Sequence, residues 1–246
     1  MTKLSVNVNK VALLRNTRDV GIPSVLGAAR ICLRAGAQGI TVHPRPDQRH
    51  IRPSDVYDLA GLIADHAGIE FNIEGNPFPE FMDLLRSVRP HQCTLVPDSP
   101  EASTSDHGWN ISNDGERLKP IVEELHRLGC RVSLFMDPEP EEISRVPETG
   151  ADRVELYTEP YAKAFARGDI EATFARYSEA AEVARSLGLG LNAGHDLNLH
   201  NLGKFCEIPG IEEVSIGHAL MADALEMGLF NAVRAYLDIL LPKPKA

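Results

Sequence analysis

The stretch "SVLGAARICLRAGAQGITVHP", residues 24–44, contains a helical pattern followed at once by a strand pattern. Apolar side chains recur at helical spacing through residues 24–37, and a glycine stands near the end, where helices commonly stop. The run "GITVHP" at 39–44 then alternates apolar and polar residues, which is the period of a β-strand. The stretch therefore predicts one helix leading directly into one strand.

This alternation of strand and helix patterns continues along the whole chain. The β-like runs cover residues 4–9, 39–44, 69–75, 92–97, 131–136, 153–158, 189–194 and 213–217. Helix-period segments lie between them, for example at 54–68, 79–88, 115–129 and 178–188. Repeated strand–helix units indicate a parallel sheet, and eight of them predict an α/β fold, a (β/α)8 TIM barrel with extra helices. A doubly wound sheet is the alternative, although no G-x-G-x-x-G follows the first strand pattern.

Length and composition favour one catalytic domain over residues 1–246. The chain has 246 residues, of which 43% are hydrophobic, and single α/β barrels commonly have this size. Two connections are longer than a minimal barrel needs. Residues 98–113 are rich in small polar side chains and predict a mobile loop, whereas residues 159–187 have room for two helices broken near Gly168.

Charge and hydropathy narrow the classes of partner. The formal net charge of -10 and the lack of a basic tract argue against nucleic acid, because phosphate neutralisation needs clustered Lys and Arg. No apolar run reaches the roughly 18 residues of a membrane span, and no signal-peptide pattern opens the chain, so we expect a cytoplasmic protein. The cysteines lack C-x-x-C spacing and are expected to be buried, reduced thiols: Cys32, Cys93, Cys130 and Cys206.

The strand patterns alternate strictly, which is unusual for parallel strands buried on both faces. One face is apolar and suits packing under helices: Leu4, Val6, Val8, Ile40, Val42, Phe71, Ile73, Val132, Leu134, Val154 and Leu156. The other is polar and would point into the barrel: Ser5, Asn7, Asn9, Thr41, His43, Arg45, Glu70, Asn72, Glu74, Arg131, Ser133, Arg153, Glu155 and Tyr157. Since buried charges are costly unless paired, we expect Glu70, Arg131 and Arg153 to neutralise one another near the strand starts.

Residues suited to catalysis or ligand binding, several of them titratable, gather at the predicted carboxyl ends of the strands, the face on which barrel active sites lie. The candidates are Asn7, Asn9, Lys10, His43, Arg45, His50, Glu74, Glu155, His195, Gly217 and His218. Histidines and carboxylates together suit acid–base chemistry near neutral pH. In "SIGHAL", residues 215–220, a strand passes into a helix through a glycine, so the backbone N–H groups predict a phosphate site.

A set of longer motifs runs in order along nearly the whole chain. They are "VNVNKVALLRNTR" (6–18), "AGAQGITVHPRPDQRHI" (35–51), "FNIEG" (71–75), "TLVPD" (94–98), "VSLFMD" (132–137), "VELYT" (154–158), "LGLNAGHDL" (189–197) and "IGHALM" (216–221). At these motifs the chain resembles the pyridoxine 5′-phosphate synthase family. The resemblance implies a barrel enzyme that condenses 1-deoxy-D-xylulose 5-phosphate with 3-amino-2-oxopropyl phosphate to give pyridoxine 5′-phosphate, phosphate and water. It further implies no metal or organic cofactor, and a homo-octamer built from dimers.

The resemblance also implies catalytic roles for four residues. His43 matches a general base and Glu74 a second base. Glu155 matches a residue that stabilises the transition state, and His195 matches the general acid. Imine formation, proton abstractions, phosphate elimination, water addition and ring closure move protons at several carbons, so groups of different proton affinity are needed.

The remaining candidates match binding positions. By this resemblance, the pentulose phosphate would be held by Arg45, His50 and Thr104. The basic stretch "TVHPRPDQRH" (41–50) would then be a local anion site. The candidates around the amino ketone phosphate are Asn7, Arg18, Asp196, Gly217 and His218. Some members of the family have Asp-His where this chain has Asn9 and Lys10, and Gly where it has Asp196.

Two other enzyme classes and one binding class are alternatives. A Schiff-base aldolase would use Lys10, which would have to be desolvated to lose its proton. A metal-dependent barrel hydrolase would use His43, Glu74, His195 and His218, but Arg45 beside His43 opposes a divalent cation and no H-x-H or H-E-x-x-H spacing occurs. A purely binding barrel has no use for so many titratable groups.

Overall fold

The computed structural model describes residues 1–102 and 104–241, and within them eight parallel strands close into a barrel. The strands are β1 (Lys3–Asn7), β2 (Gly39–Val42), β3 (Glu70–Gly75), β4 (Gln92–Leu95), β5 (Arg131–Met136), β6 (Arg153–Leu156), β7 (Gly190–Ala193) and β8 (Ile211–Ile216). The predicted TIM barrel is confirmed, and the doubly wound alternative is wrong. The last residues of the predicted domain 1–246, residues 242–246, lie outside the described residues.

Helices surround the barrel in the described part of the chain. They are α1 (Asn9–Asn16), α2 (Val25–Ala35), α3 (Pro53–Ala64), α4 (Pro79–Val88), α5 (Ile111–Arg127), α6 (Pro140–Ile143), α7 (Glu159–Arg167), α8 (Glu171–Ser186), α9 (Leu202–Phe205), α10 (His218–Met227) and α11 (Leu229–Leu240). The predicted pair of helices in 159–187 is present as α7 and α8, with Gly168 at a φ of 74° between them. A left-handed residue of this kind ends a helix at little cost only when it is glycine.

The first two strands are shorter than the sequence pattern suggests. β1 stops at Asn7, whose side-chain Oδ1 accepts a 3.0 Å hydrogen bond from the backbone N–H of Asn9 and so turns the chain into α1. Asn9 and Lys10 therefore open a helix instead of ending a strand. Likewise His43 and Arg45 follow β2, because prolines at 44 and 46 cannot donate to a strand ladder.

The apolar strand face packs under the helices as predicted. Side chains such as Leu4, Val6, Ile40 and Val154 are fully buried, and burial of each large aliphatic group contributes roughly 1.5–3 kcal/mol. The polar face points into the barrel, where neighbouring strands align their residues in layers. Thr41, for example, is paired in register with Asn7 of β1 and Asn72 of β3.

The charges near the strand starts are paired, but not in the way the sequence suggests. Glu70 forms ion pairs with Arg131 and Lys3. Arg153 does not join them, and the expectation that it would is wrong: it pairs with Glu212 at 2.5 Å and donates to the Asn192 side chain at 2.9 Å. Arg153 on β6 is three strands away from Glu70 on β3 but only two from Glu212 on β8, so the carboxylate on β8 is the nearer partner.

The expectation of buried thiols holds for three of the four cysteines. Cys32, Cys93 and Cys130 are buried free thiols, and Cys206 is a partly buried one. Among the residues that the structure describes, no helix combines the length and the apolar character that crossing a membrane requires.

Candidate functional site

A cavity of about 460 Å³ opens at the carboxyl ends of the strands. All but one of the predicted site residues line it: Asn7, Asn9, Lys10, His43, Arg45, His50, Glu74, Thr104, Glu155, His195, Asp196, Gly217 and His218. The exception is Arg18, which is exposed in the turn after α1 and is not part of the cavity wall. Residues from six strand ends and the loop after β4 thus meet around one space.

His43 and Glu74 are neighbouring titratable side chains in the cavity wall. The Nδ1 atom of His43 lies 3.9 Å from Oε2 of Glu74, and the Asn7 side chain donates to the same oxygen at 3.4 Å. The backbone N–H of His43 donates to Asn9 Oδ1 at 2.9 Å, and this hydrogen bond fixes the position of the backbone from which the imidazole extends. Burial, together with the charge of Arg45, holds the pKa of His43 well below its usual value. The imidazole is therefore neutral near pH 7 and able to accept a proton.

Two carboxyl groups, the buried Glu155 and the largely enclosed Glu74, face the same space. Burial and mutual repulsion raise the pKa of Glu74 well above its usual value, with Glu155 the largest charged contributor. Burial also raises the pKa of Glu155 to about 8, helped by Glu213 and opposed by a 3.3 Å hydrogen bond from Thr94. Both carboxyl groups therefore hold a proton more tightly than an exposed glutamate does, which suits groups that take part in proton transfer.

His195 occupies the opposite side of the cavity, after β7. Its Nε2 atom lies 3.0 Å from the Thr104 hydroxyl, and its Nδ1 lies 3.3 Å from Oδ2 of Asp196. Thr158 donates to the main-chain oxygen of His195, and the Tyr157 ring meets the imidazole edge-on with centroids 5.2 Å apart. The contacts of Thr104, Asp196 and Tyr157 hold the imidazole itself, and the Thr158 hydrogen bond holds the backbone that carries it.

Asp196 has an unusual backbone conformation for a residue with a side chain. Its φ is 64°, in the left-handed region that favours glycine. Some members of the family that the chain resembles have glycine at this position, in agreement with this conformation. The neighbouring His195 imidazole lowers the pKa of Asp196, so the carboxylate is charged. A backbone constraint of this kind is tolerated at functional sites when the surrounding contacts support it.

The basic stretch after β2 contacts the loop after β4. Arg45 forms a buried ion pair with Asp98 and donates to the main-chain oxygen of Ala102 at 2.9 Å. Arg49 donates to the same oxygen at 3.0 Å. His50 is buried, and burial with the charges of Arg45 and Lys10 lowers the pKa of its imidazole to about 4. The arginines thus bind this loop as well as lining the cavity.

The end of β8 presents a helix start to the cavity. Gly217 precedes α10, and His218 is its first residue. A Cβ on Gly217 would lie 3.1 Å from Cβ of Asn7, tighter than ordinary packing, so glycine lets the Asn7 side chain approach. Free N–H groups and the helix dipole at this end favour an anion such as a phosphate.

Sequence reasoning missed several residues of the cavity wall, among them Arg49, Thr94, Ser105, Phe135, Glu159 and Ser215. Thr94 and Ser215 could have been found, since both lie on the inner face of a strand by simple alternation. Arg49 stands within the basic stretch already singled out. Ser105 and Glu159 carry no pattern of their own, because only the fold brings their loops to the cavity.

The geometry favours acid–base chemistry over the other two enzyme classes. Within residues 1–102 and 104–241, no group of three or more His, Cys, Asp or Glu side chains is arranged to hold a metal ion. Lys10 is exposed at the cavity rim, whereas an imine-forming lysine needs a desolvated amine. A neutral imidazole, two carboxyl groups of raised pKa and a second imidazole line one cavity.

Comparison with known proteins adds an independent finding. The model of the family described as "Pyridoxal phosphate biosynthesis protein PdxJ" matches residues 4–241. A protein of Albidiferax ferrireducens named pyridoxine 5′-phosphate synthase is 57% identical over 242 residues, with 96% of each chain covered. A protein of Porphyromonas gingivalis with the same name is 54% identical over 239 residues, covering 97% of this chain and 98% of that protein.

Solved structures of more distant proteins share the architecture. Thiamine phosphate pyrophosphorylase from Pyrococcus furiosus superimposes with a TM-score of 0.61 at 14% identity, covering 97% of this chain and 95% of the other. Phosphoribosyl anthranilate isomerase from Thermus thermophilus gives 0.59 at 14% identity, with coverages of 97% and 98%. At such low identity these similarities show a common barrel fold and nothing more.

Proposed function

The chain belongs to the PdxJ family of pyridoxal phosphate biosynthesis proteins, and from this premise we propose that it acts as a pyridoxine 5′-phosphate synthase. The reaction condenses 1-deoxy-D-xylulose 5-phosphate with 3-amino-2-oxopropyl phosphate and releases pyridoxine 5′-phosphate, phosphate and water. The observation that supports this most is the neutral imidazole of His43 beside Glu74, facing His195 across one cavity. Such a pair of bases opposite an acid suits successive proton transfers at several carbons.

His43 and Glu74 act as the bases in this proposal. His43 is neutral near pH 7 because its pKa is lowered, so it can remove a proton from a substrate carbon. Glu74 lies 3.9 Å away and shares protons with Glu155, so it can take up a second proton as the carboxyls exchange theirs. Glu155 stabilises the transition state by hydrogen bonding to a substrate atom on which charge develops.

His195 acts as the general acid. Asp196 Oδ2 lies 3.3 Å from Nδ1 and the Tyr157 ring packs edge-on against the imidazole, while Thr158 holds the main-chain oxygen of the same residue. The Thr104 hydroxyl at Nε2 marks the place that a departing substrate hydroxyl would take. Protonation of that hydroxyl lets it leave as water.

Two ends of the cavity suit the two phosphate groups. Arg45, His50 and Thr104 would bind the pentulose phosphate, with Asn9 and Lys10 beside its sugar carbons. Gly217, His218 and Asn7 would bind the amino ketone phosphate at the start of α10, near Asp196. Arg18 remains a candidate for this second phosphate, although it is exposed outside the cavity wall.

Exposed apolar side chains support the assembly that the family resemblance implies. Leu14, Val20 and Ile22 lie on α1 and the following turn, and Leu225 and Phe230 lie on α10 and α11, all between 46% and 83% exposed. Large apolar groups at these positions are suited to contacts between copies of the chain. A homo-octamer built from dimers, working in the cytoplasm, is the arrangement that we propose.

The deciding experiment supplies the purified protein with both phosphorylated substrates. We expect a pyridine chromophore and inorganic phosphate to appear together, and neither to appear when one substrate is withheld. Activity that survives borohydride treatment with substrate would exclude the Lys10 aldolase. Metal-dependent phosphate release without formation of a pyridine would instead support the hydrolase class.

A further inference from the structure

A buried ion pair joins Arg45 to Asp98 at the edge of the cavity. Nη2 of Arg45 donates to Oδ2 of Asp98, and the two side chains are only 4% and 3% exposed. Arg45 follows β2 and Asp98 follows β4, so the pair spans the end of β3. A charge pair this enclosed fixes both side chains, because either one alone would be buried without compensation.

Asp98 is itself held firmly. The Asn76 side chain donates to its main-chain oxygen at 3.1 Å, and the Ser105 hydroxyl donates to Oδ2 at 2.7 Å. Arg45 and Ser105 line the cavity, whereas Asp98 does not. The carboxylate therefore stands behind the cavity wall and acts on residues that a substrate would touch.

The anchored guanidinium still has donors for a ligand. Arginine carries five N–H groups, and within the described residues Arg45 uses two of them, toward Asp98 and the Ala102 main-chain oxygen. A guanidinium held on one edge presents its other N–H groups in a fixed direction. Phosphate binding by arginine depends on such forked geometry.

From this geometry we propose that Asp98 is a positioning residue for the pentulose phosphate. It orients the Arg45 guanidinium toward the cavity and, through Ser105, keeps the loop after β4 in contact with the same site. This inference rests on the proposed function, in which Arg45 binds that phosphate. Without Asp98, the long Arg45 side chain would regain rotamer freedom and turn toward water, and its phosphate contacts would lose their alignment.

The loss of Asp98 also has an electrostatic effect, which acts on phosphate affinity in the opposite direction to the loss of alignment. The direction in which the affinity changes therefore tests the proposal. Removing a carboxylate behind the site takes away a negative charge that repels phosphate. If repulsion outweighed alignment, the variant would bind the pentulose phosphate more tightly. The pairing of Asp98 with Arg45 and the hydrogen bond from Ser105 already offset much of that charge, so we expect alignment to dominate.

The test measures equilibrium binding of each substrate alone by calorimetry. For Asp98→Asn we expect Kd for the pentulose phosphate to rise about tenfold, while Kd for the amino ketone phosphate changes less than about twofold. Asp98→Glu, which keeps the carboxylate, should recover most of the affinity. The matched control is Asp106→Asn, which removes a 68% exposed carboxylate from the same loop, paired with His107, and should leave both affinities unchanged.

Equal losses for both substrates, or an unchanged or tighter pentulose phosphate complex in Asp98→Asn, would overturn the proposal. Arg45→Ala separates this failure from that of the proposed function: if it has no selective effect, the assignment of Arg45 is wrong. If Arg45→Ala is selective and Asp98→Asn is not, only the role of Asp98 is wrong. Should Asp98→Asn fail to fold, Ser105→Ala decides, because a selective loss supports the anchor and no selective loss contradicts it.

Discussion

The Thr104 hydroxyl lies 3.0 Å from Nε2 of His195, so the loop after β4 touches the imidazole that follows β7. The same loop contacts Arg45 and Arg49 on the other side of the barrel mouth through the Ala102 main-chain oxygen. It therefore bridges the two sides of the cavity. A substrate hydroxyl that reaches Nε2 has to replace the Thr104 contact, which links the position of this loop to proton transfer.

His195→Asn tests the general acid directly. Asparagine keeps some hydrogen bonding but cannot transfer a proton, so we expect turnover to fall by roughly 10²- to 10⁴-fold. The Kd of each substrate should change far less. Steady-state turnover and calorimetric binding of the folded variant provide the two measurements, and near-normal turnover would remove His195 from the mechanism.

Binding of both substrates is expected to protect the loop after β4 from proteases. Thr104 would exchange its contact with His195 for one with the pentulose phosphate and draw the loop over the cavity. Limited proteolysis followed by mass spectrometry should show cleavage near residues 104–110 slowing when substrate is added. Thr104→Val, which lacks the hydroxyl, should show weaker protection, and equal cleavage rates with and without substrate would refute closure.

The fold was predictable because its signal is local and repeated. The apolar faces of the strands alternate residue by residue, and helices such as α4 end at the positions that the pattern marks. Helix α1 escaped prediction because Leu13 and Leu14 are 38% and 53% exposed, so its apolar residues do not mark a face toward the core. Its start was hidden because "VNVN" continues the alternation of β1.

The cavity was predictable to the extent that strand ends determine it. Residues at or just beyond the carboxyl ends of barrel strands must lie at the same mouth, so His43, Glu74 and His195 could be grouped without coordinates. The contact of Asp98 with Arg45 could not, since it joins two loops whose paths depend on tertiary packing. Arg153 shows the same limit, because its choice between Glu70 and Glu212 depends on which strand lies nearer.

Arg45→Lys tests the anion site. Lysine offers a point charge in place of a fork that can grip phosphate through two N–H groups, so Kd for the pentulose phosphate should rise about tenfold. The amino ketone phosphate, bound near Gly217 in our proposal, should be affected much less. Calorimetry with each substrate separates the two, and an equal loss for both would count against this assignment of the site.

The last prediction concerns the stability of the protein as pH rises and rests on Glu155. Its pKa is raised to about 8 by burial and by Glu213, whereas an unfolded glutamate has a pKa of about 4.3. Between these two values the folded protein binds more protons than the unfolded chain. The free energy of unfolding therefore decreases as pH rises through this range, and the contribution of the neutral carboxyl is lost above about pH 8.

Glu155→Gln replaces this carboxyl by a neutral group of the same shape that can still accept the hydrogen bond from Thr94. The variant should lose less stability than the parent between pH 5 and pH 9, by on the order of 3 kcal/mol, because it has no buried carboxyl to ionise. Urea unfolding at both pH values measures the difference. Glu116→Gln, at an exposed position of α5, is the matched control and should lose as much stability as the parent. If the two variants behaved alike, Glu155 would ionise as an ordinary carboxyl, and its proposed proton exchange with Glu74 would have to be abandoned.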